Sequence, residues 1–349
     1  MLRALFCAMS TSHEDIVSTV SVNTTLIVEH LLTAKNVLIT THINPDGDAL
    51  GSALGLLHWL RANSIQARVM LPNAAPTNLG WLPGADAVDV WAEDKQPYVS
   101  SADTIVVLDL NAISRLGTLG SAIVHSTARI INIDHHTHPE EFASLAWIDT
   151  ESCSTCYMIS QLIMSADASA EMTPDAAMCL YTGIMTDTGS FRFPRTTAPV
   201  FKTAAMLLDK GADPVLAYDR VMNQGSINRT QLLGKTLSQM SVLANGRLCV
   251  MTVCQDDLQE YACTVEDIEG FVQQTLTLRG VEMGVLIVEL PNEIKLSFRS
   301  KGAAFVRDLA AVYGGGGHVY AAGARVTGTA LLDIVRDVTQ RAVQYLGNA

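Results

Sequence analysis

The sequence predicts an α/β protein of two domains, in which a first domain built on a parallel sheet is joined by a helical linker to a smaller α/β domain. The length of 349 residues exceeds that of a typical single domain. Up to about residue 150, short runs rich in Ile and Val alternate with helical stretches, which is typical of parallel α/β folds. After about residue 245 the pattern changes to paired strands flanked by helices, which indicates a second domain of different architecture.

Four apolar runs predict the strands of the first sheet, at residues 37–41, 67–71, 104–108 and 129–133. Because these runs are almost wholly apolar, we expect both faces of the sheet to be covered, as in a parallel sheet. The helical segments of this part are predicted at 24–34, 48–62, 153–166, 174–185, 198–210 and 226–243.

The second domain is predicted from a strand at 247–253, a helix at 265–276, and two strands at 281–290 and 293–300. Pro291 and Asn292 suit the turn of a hairpin between the last two strands. A helix at 303–312 leads into a run of four glycines, and an amphipathic helix at 331–346 follows. We therefore expect a first domain at 24–215, a linker helix at 216–244 and a second domain at 245–349.

The charge balance excludes several classes of partner. The chain holds 23 Lys and Arg against 35 Asp and Glu, a net charge of −12, and residues 1–200 carry most of this excess. Such acidity argues against a protein that binds long DNA or RNA by neutralising phosphates, and against an anionic membrane surface. No apolar run reaches the length of about 18–20 residues that a membrane span requires.

The cysteines indicate a reducing compartment. There are seven, an odd number scattered through a large chain, which favours free thiols and a cytoplasmic location. Cys153 and Cys156 form a CxxC pair, but no second pair accompanies it, and we interpret them as buried helix cysteines rather than a zinc or redox site.

Acidic residues and histidines follow three of the predicted strands. The first strand is followed by His42, Asp46 and Asp48, the third by Asp109, and the fourth by residues 134–136, which read Asp-His-His. Because the carboxyl ends of parallel strands meet at one edge of a sheet, where ligands bind, we expect these groups to lie close together. Carboxylates and imidazoles in this combination suit a divalent cation such as Mn²⁺.

Each of these residues also has a simpler interpretation. Asp48 alone suits the cap of the helix that follows it, and Asp109 alone suits a turn at a strand end. A calcium loop of the EF-hand type is excluded, because the twelfth position from Asn44 is Gly55 rather than Glu. Asp187 ends a predicted helix, where a carboxylate is unfavourable unless a bound cation offsets the dipole.

The second domain carries a different chemistry. In residues 293–300, Lys295, Ser297 and Arg299 alternate with apolar residues and share one face of a strand. Lys301 follows, and then Gly314–Gly317 with His318. Glycines allow backbone amides to approach a phosphate, although such a run can also be a flexible hinge. No Lys-Ser/Thr follows this run, so it is not a Walker loop. We interpret this set as a phosphate or nucleotide clamp.

Together these motifs resemble the DHH phosphoesterase superfamily, named for the sequence found here at 134–136. Residues 42–52 are similar to its first motif, 107–109 to its second and 186–189 to its fourth, while 298–300 and 314–318 are similar to the DHHA1 domain that follows it. The closest subgroup combines oligoribonuclease (nanoRNase) activity with phosphatase activity on 3′-phosphoadenosine-5′-phosphate (pAp).

The resemblance implies two bound Mn²⁺ ions and a division of roles among the residues. One ion would be held by His42, Asp46 and Asp109, and the other by Asp48, Asp109, His135 and Asp187. The resemblance further implies that His136 contacts the scissile phosphate, and Asp134 is placed to orient an imidazole, so that Asp109, Asp134 and His136 form the catalytic set. The substrate would be bound by Ser297, Arg299, Lys301, Gly315, Gly316, Gly317 and His318.

The implied activity is hydrolysis of short oligoribonucleotides to mononucleotides, and of pAp to AMP, by a water that two metals activate. A cyclic- or linear-dinucleotide phosphodiesterase is the main alternative, since the same motifs serve it. An inorganic pyrophosphatase and a nucleotide sensor without activity are further alternatives. Expected partners are short RNA or small phosphorylated nucleotides, and the sequence is compatible with a homodimer.

Overall fold

The computed structural model describes residues 24–166 and 172–348, and the chain divides into two units. The first unit ends at Gln224 and the second begins at Gly225. Each unit contains one six-stranded sheet, so the predicted α/β class is confirmed. Within the described ranges, no helix is both long enough and apolar enough to cross a membrane.

The first sheet is wholly parallel, as the apolar runs predict. Its strands are β1 (Asn36–Thr41), β2 (Gln66–Leu71), β3 (Asp89–Val90), β4 (Thr104–Leu108), β5 (Arg129–Asp134) and β6 (Leu145–Ile148), in the spatial order β3-β2-β1-β4-β5-β6. The two edge strands, β3 and β6, are absent from the sequence prediction. Both are short and only partly buried, so they lack the continuous apolar run by which the inner strands are recognised.

Eight helices accompany this sheet in the described part of the first unit, and the last four follow its final strand along the chain. The described part of α1 spans 24–33, followed by α2 (Gly47–Ala62), α3 (Gln96–Ser101), α4 (Thr118–Val124), α5 (Thr155–Ser165), α6 (Pro174–Asp187), α7 (Ala198–Asp209) and α8 (Pro214–Met222). The helix predicted from residue 153 begins only at Thr155, because Ser154 caps it by accepting a hydrogen bond from the Tyr157 amide. Cys153 therefore precedes the helix, and both Cys153 and Cys156 are buried free thiols.

The second sheet is mixed and belongs to the second unit. Its strands are β7 (Ser241–Leu243), β8 (Leu248–Val253), β9 (Met283–Glu289), β10 (Ile294–Ser300), β11 (Gly316–His318) and β12 (Ala321–Val326), in the order β11-β12-β10-β9-β8-β7. The predicted hairpin is confirmed, since β9 and β10 pair antiparallel across Pro291 and Asn292. Its helices are α9 (Ile227–Ser238), α10 (Gln255–Glu260), α11 (Phe271–Thr275), α12 (Val306–Ala311) and α13 (Leu331–Asn348).

Several element boundaries in the second unit differ from the sequence prediction. The helix predicted at 226–243 ends at Ser238, and its last residues form β7 instead. The helix predicted at 265–276 is confined to α11, because Gly270 at φ +88° interrupts the helical path. The glycine run is not only a loop, since Gly316–His318 pairs with β12 as an edge strand. The range 216–244, expected as a linker, holds the end of α8, the whole of α9 and β7.

Helices α2 and α6 pack unusually closely through a stripe of glycines. Gly47, Gly51 and Gly55 recur every four residues and therefore lie on one face of α2. A Cβ atom at Gly51 would lie 2.6 Å from the carbonyl oxygen of Cys179 on α6, and one at Gly55 would lie 2.6 Å from the Leu180 side chain. The start of α2 meets the end of α6, so the two helices run antiparallel.

We expect Gly51→Ala to destabilise the protein even though alanine favours a helix by about 1 kcal/mol. The added methyl group meets backbone that cannot move cheaply, and overpacking of this kind costs about 1–3 kcal/mol. Gly234→Ala in α9 is the matched control, because a Cβ there has no described atom within 4 Å. Thermal unfolding of both variants measures the effect, and an unchanged or raised Tm for Gly51→Ala would contradict the close packing.

Candidate metal centre

The predicted strand-end residues come together at one edge of the first sheet. Strands β1, β4 and β5 are neighbours, and each ends directly before or within one of the predicted clusters. Potential ligand atoms lie within 4.8 Å of one another in three groups: His42, Asp46 and Asp109; Asp48, His135 and Asp187; and Asp109, His135 and His136. The edge therefore assembles carboxylates and imidazoles from four separate chain segments.

Asp109 lies at the centre of this cluster. Its carboxylate is 3.5 Å from His42 Nε2 and 3.4 Å from His135 Nε2, and the two histidines approach different oxygens. The residue adopts φ +61°, which is uncommon for a residue other than glycine and turns the chain sharply at the end of β4. The Thr155 hydroxyl donates to its Oδ1 at 3.0 Å. The buried carboxylate is thus held at the point where the predicted ligands of both ions meet.

The two carboxylates at the start of α2 have different roles. Asp46 is the N-cap of α2 and accepts hydrogen bonds from the amides of Asp48 and Ala49, each at 3.0 Å. Asp48 instead accepts from the amides of Thr155 at 2.7 Å and Cys156 at 2.8 Å, which lie at the start of α5. The capping interpretation of Asp48 is therefore wrong for its own helix, because Asp46 performs that role and Asp48 is aimed at another helix.

Backbone carbonyl groups set the orientation of two histidines. His42 Nδ1 lies 2.8 Å from the Ile43 carbonyl oxygen, and His135 Nδ1 lies 3.4 Å from that of Ser152. A carbonyl oxygen only accepts, so Nδ1 carries the proton in each ring and Nε2 faces Asp109. An imidazole with a free Nε2 and a supported Nδ1 is the usual arrangement of a metal ligand.

His136 has a different support. Its Nδ1 donates to Asp134 Oδ1 at 2.7 Å, and Asp134 is fully buried at the end of β5. The second oxygen of this carboxylate is a buried atom that has no hydrogen-bond partner among the described residues. This hydrogen bond directs His136 Nε2 away from Asp134, and the orienting role of Asp134 in catalysis stays a prediction.

Asp187 joins the cluster from helix α6, whereas the other ligands follow strands of the sheet or begin α2. It is the last residue of α6, and its Oδ2 lies 3.7 Å from His135 Nε2. Its side chain is 32% exposed, more than those of Asp48 and Asp109, which are almost wholly buried. Because α6 packs against α2, the end of one helix and the start of the other deliver Asp187 and Asp48 to the same place.

The three carboxylates of Asp48, Asp109 and Asp187 lie close together, and their pKa values reflect this concentration of negative charge. Burial raises the pKa of Asp48, and the nearby carboxylates of Asp109 and Asp187 raise it further. Burial likewise raises the pKa of Asp187 to about 6. Burial also opposes ionisation of Asp109, but its hydrogen bonds to His135 and His42 outweigh this and lower its pKa.

The histidines respond in the opposite sense. Although burial lowers the pKa of His135, the hydrogen bond to Asp109 and the charge of Asp48 raise it overall to about 10. The pKa of His42 is also raised, since contact with Asp109 outweighs burial. In the absence of a cation, protons on the imidazoles thus compensate the carboxylates. The donor set of carboxylate oxygens and imidazole nitrogens fits a divalent ion of the Mn²⁺ type, which would replace these protons.

The second unit contains a separate groove with a cavity volume of about 590 Å³. Of the residues predicted to bind substrate, Ser297, Arg299 and Gly316 line it. Within the described ranges, four other predicted residues lie outside its lining: Lys301, Gly315, Gly317 and His318. Lys301 Nζ donates to the Leu276 carbonyl at 3.0 Å.

The glycines outside the groove have a packing reason. A Cβ at Gly317 would lie 2.6 Å from the Ala321 carbonyl oxygen, because β11 folds tightly onto β12. Sequence reasoning missed Arg325, which lines the groove opposite Lys295 in the β10–β12 register. The alternation of Ala321, Gly323 and Arg325 along one strand is the signal that would have found it.

Comparison with known proteins places these features in a family. Residues 36–184 match the DHH family, N-terminal domain, and residues 245–345 match the DHHA1 domain. The bifunctional oligoribonuclease and PAP phosphatase NrnA of Thermus thermophilus is 33% identical over 313 residues, which cover 88% of this chain and 91% of that protein. The cyclic-di-AMP phosphodiesterase GdpP of Bacillus subtilis is 25% identical over 326 residues, which cover 89% of this chain and 48% of that protein.

A solved structure shows the same architecture. The exopolyphosphatase-related protein from Bacteroides fragilis superposes with a TM-score of 0.88 at 31% sequence identity. The match covers 93% of this chain and 96% of that one. Both units therefore have a counterpart in a single related protein.

We expect Asp187→Asn to raise the Tm of EDTA-treated protein at about pH 7.5 and to change it little at about pH 4. The pKa of Asp187 in the folded protein, about 6, lies above its ordinary value of 3.8. The proton therefore stabilises the folded state at low pH, and this contribution is lost as the pH rises through about 6. Asn carries no such charge at any pH.

The control for this experiment is Asp333→Asn, since the side chain of Asp333 is 66% exposed on α13. Unfolding is followed by circular dichroism across the pH series. A gain of equal size at both pH values would contradict charge repulsion as the cause.

Proposed function

This chain belongs to the DHH family and is a hydrolase of phosphoester bonds, and we propose that its substrates are short oligoribonucleotides and pAp. The proposal is that it releases mononucleotides from the former, as an exonuclease, and AMP from the latter. The observation that carries it is the cluster around Asp109, which combines carboxylate and imidazole donors for divalent ions with a His136 ring oriented by the buried Asp134. The likeness to the NrnA protein of Thermus thermophilus over both units supports this substrate class.

We propose that two divalent ions, most simply Mn²⁺, bind in this cluster. One would be held by His42, Asp46 and Asp109, and the other by Asp48, Asp109, His135 and Asp187. Ions bound there supply an activated water and neutralise charge on phosphoryl oxygens. The protein's own contribution is orientation, because every proposed ligand except Asp187 has a hydrogen bond to a backbone group or a neighbouring side chain before any ion binds.

In this proposal His136 contacts the phosphate that is cleaved. Asp134 accepts the Nδ1 proton and so fixes the ring, which leaves Nε2 directed away from Asp134. In its imidazolium form, with a second proton on Nε2, a ring held in this way donates to a phosphoryl oxygen without the entropic cost of ordering its side chain during the reaction.

We propose that the groove of the second unit binds nucleotide phosphates or bases. Lys295, Arg299 and Arg325 supply cations along its lining, and the small residues Gly316 and Gly323 leave room for a flat group. Burial lowers the pKa of Arg299, which reflects a guanidinium partly withdrawn from water. Such a group gains from pairing with a phosphate. Lys301, Gly315, Gly317 and His318 are kept as part of this proposal from the motif resemblance.

The negative charge of the first 200 residues bears on the partners of the protein. We propose that long nucleic acids and membranes are not substrates or partners, since the first 200 residues carry most of the net charge of −12. A cytoplasmic location and a homodimer are kept as expectations.

A second candidate is hydrolysis of cyclic or linear dinucleotides. The likeness to GdpP favours it, since that relative is named as a cyclic-di-AMP phosphodiesterase and matches over 89% of this chain. A panel of pAp, pApA, short RNA, cyclic-di-AMP and pyrophosphate, each with Mn²⁺ and with or without EDTA, separates the candidates. Preference for cyclic-di-AMP would favour this second candidate, and preference for pyrophosphate would overturn both.

We expect Asp109→Ala and His135→Ala each to reduce hydrolysis of pAp and pApA to background, because each removes a ligand at the centre of the cluster. EDTA should have the same effect on the unaltered protein, and added Mn²⁺ should reverse it. Asp333→Ala should retain full activity, because the side chain of Asp333 is 66% exposed on α13. Circular dichroism checks that both variants are folded. Near-normal turnover by Asp109→Ala or by His135→Ala would refute the proposed metal site.

We expect Arg299→Ala to raise KM for pApA about tenfold or more, since a charged hydrogen bond to phosphate contributes about 1.5–3 kcal/mol. The control is Arg336→Ala, because the Arg336 side chain is 78% exposed outside the groove. Initial rates over a range of pApA concentrations give both constants. An unchanged KM would show that Arg299 does not bind the substrate. It would not bear on the proposal that the acidic cluster binds metal ions.

A further inference from the structure

The segment directly after α6 is held in a strained backbone conformation. Gly189, Ser190 and Phe191 adopt φ of +56°, +59° and +63°, three consecutive left-handed residues. Thr188 fixes them, since its hydroxyl accepts from the Phe191 amide at 3.0 Å and its carbonyl accepts from the Phe193 amide at 3.0 Å. Strain of this kind persists only where surrounding contacts impose it, and it concentrates at functional sites.

The two phenylalanines of this segment face different surroundings. Phe191 is packed inward, with its ring stacked on that of Phe201 at 5.5 Å and 26°. Phe193 is 53% exposed, although a Cβ at Gly189 would lie only 2.5 Å from its ring. The Phe193 ring therefore rests against the backbone of Gly189 and keeps much of its surface open. Gly189 lies two residues after Asp187, at most about 7.6 Å away along the chain.

Arginines flank this exposed ring. Arg192 Nε donates to the Gly189 carbonyl at 2.6 Å. Arg195 Nη1 donates to the Ser152 carbonyl at 3.4 Å, and this is the same oxygen to which His135 Nδ1 donates. Arg195 is thus separated by a single carbonyl group from a histidine of the metal cluster. Both arginines are exposed.

The position of these cations is notable because the surrounding sequence is acidic. Residues 1–200 contain only nine Lys and Arg, and two of them lie in this short segment. An exposed aromatic ring beside arginines is the combination that binds single-stranded nucleic acid, the ring by stacking on a base and the cations by contact with phosphate. The segment also lies outside both ranges that match the family models, 36–184 and 245–345.

We propose that residues 188–196 bind one nucleotide of the substrate next to the metal cluster, with its base on the exposed surface of Phe193 and a phosphate beside Arg195. This inference rests on the proposed function, because it assumes that the substrate carries a base. It assigns base recognition to the first unit itself, where the rigid backbone holds the ring in place at no further cost in entropy on binding.

The test compares Phe193→Ala with the unaltered protein on pApA and on two analogues, each with one base replaced by hydrogen. Loss of base stacking should lower kcat/KM for pApA by about 5- to 150-fold. For the analogue that lacks the stacked base, the same substitution should change kcat/KM less than about twofold, since no stacking remains to be lost. Tyr218→Ala is the matched control, because Tyr218 is a 45% exposed aromatic on α8.

The outcomes separate binding from structural damage. A loss of kcat/KM that is confined to substrates carrying the stacked base supports stacking on Phe193. The analogue that is insensitive to the substitution identifies which base Phe193 binds. An equal loss on all three substrates, or no loss on any, overturns this proposal. Phe193→Trp should retain activity on pApA, since a larger ring stacks at least as well.

A binding measurement keeps this inference distinct from the proposed function. The fluorescence that Phe193→Trp adds to the protein should be quenched by AMP and not by ribose 5-phosphate, whether or not the protein hydrolyses any nucleotide. Quenching without hydrolysis would support base stacking on residue 193 and refute the proposed function. Hydrolysis of pApA without quenching and without a selective loss of kcat/KM would support the proposed function and refute base stacking there.

Discussion

The close antiparallel contact between α2 and α6 is the constraint on which the rest of the first unit depends. Three glycines at four-residue spacing remove the side chains that would hold the helices apart. The start of α2 and the end of α6 then meet at the carboxyl edge of the sheet, with Asp48 on one helix and Asp187 on the other. Both carboxylates lie 3.7 Å from His135 Nε2, and a wider spacing of the helices would move them apart.

Bringing these carboxylates together has an electrostatic cost that the protein meets in several ways. The amides at the start of α5 bind Asp48, and the Thr155 hydroxyl binds Asp109. The imidazoles of His42 and His135 take up protons where a cation is absent. The site is therefore pre-arranged for positive charge, and a divalent ion bound there would displace these protons.

The two units divide the chemistry by charge. The first concentrates acidic ligands, and the second presents Lys295, Arg299 and Arg325 along a groove with a floor of small residues. In the proposed function, this division lets a chain with a net charge of −12 act on a phosphorylated substrate. Cations bound in the acidic cluster, as proposed, would offset its negative charge, and the formal total would then misstate the field that a small anion meets.

The sequence by itself determined the inner strands and the strand-end cluster. Buried parallel strands are continuous apolar runs, and the edge to which their polar successors belong follows from the parallel arrangement. Only the tertiary structure decided that Asp46 caps α2 while Asp48 binds α5, that half of the glycine run packs as an edge strand, and that Arg325 and Phe193 lie beside the predicted sites. The contacts of Asp48 and Arg325 join segments far apart in the chain, and a local pattern carries no record of which distant amide or strand a side chain will meet. The Asp46 cap, the edge strand and the Phe193 ring depend on shorter-range contacts, but which of the competing local contacts forms is decided only by the packing of the whole unit.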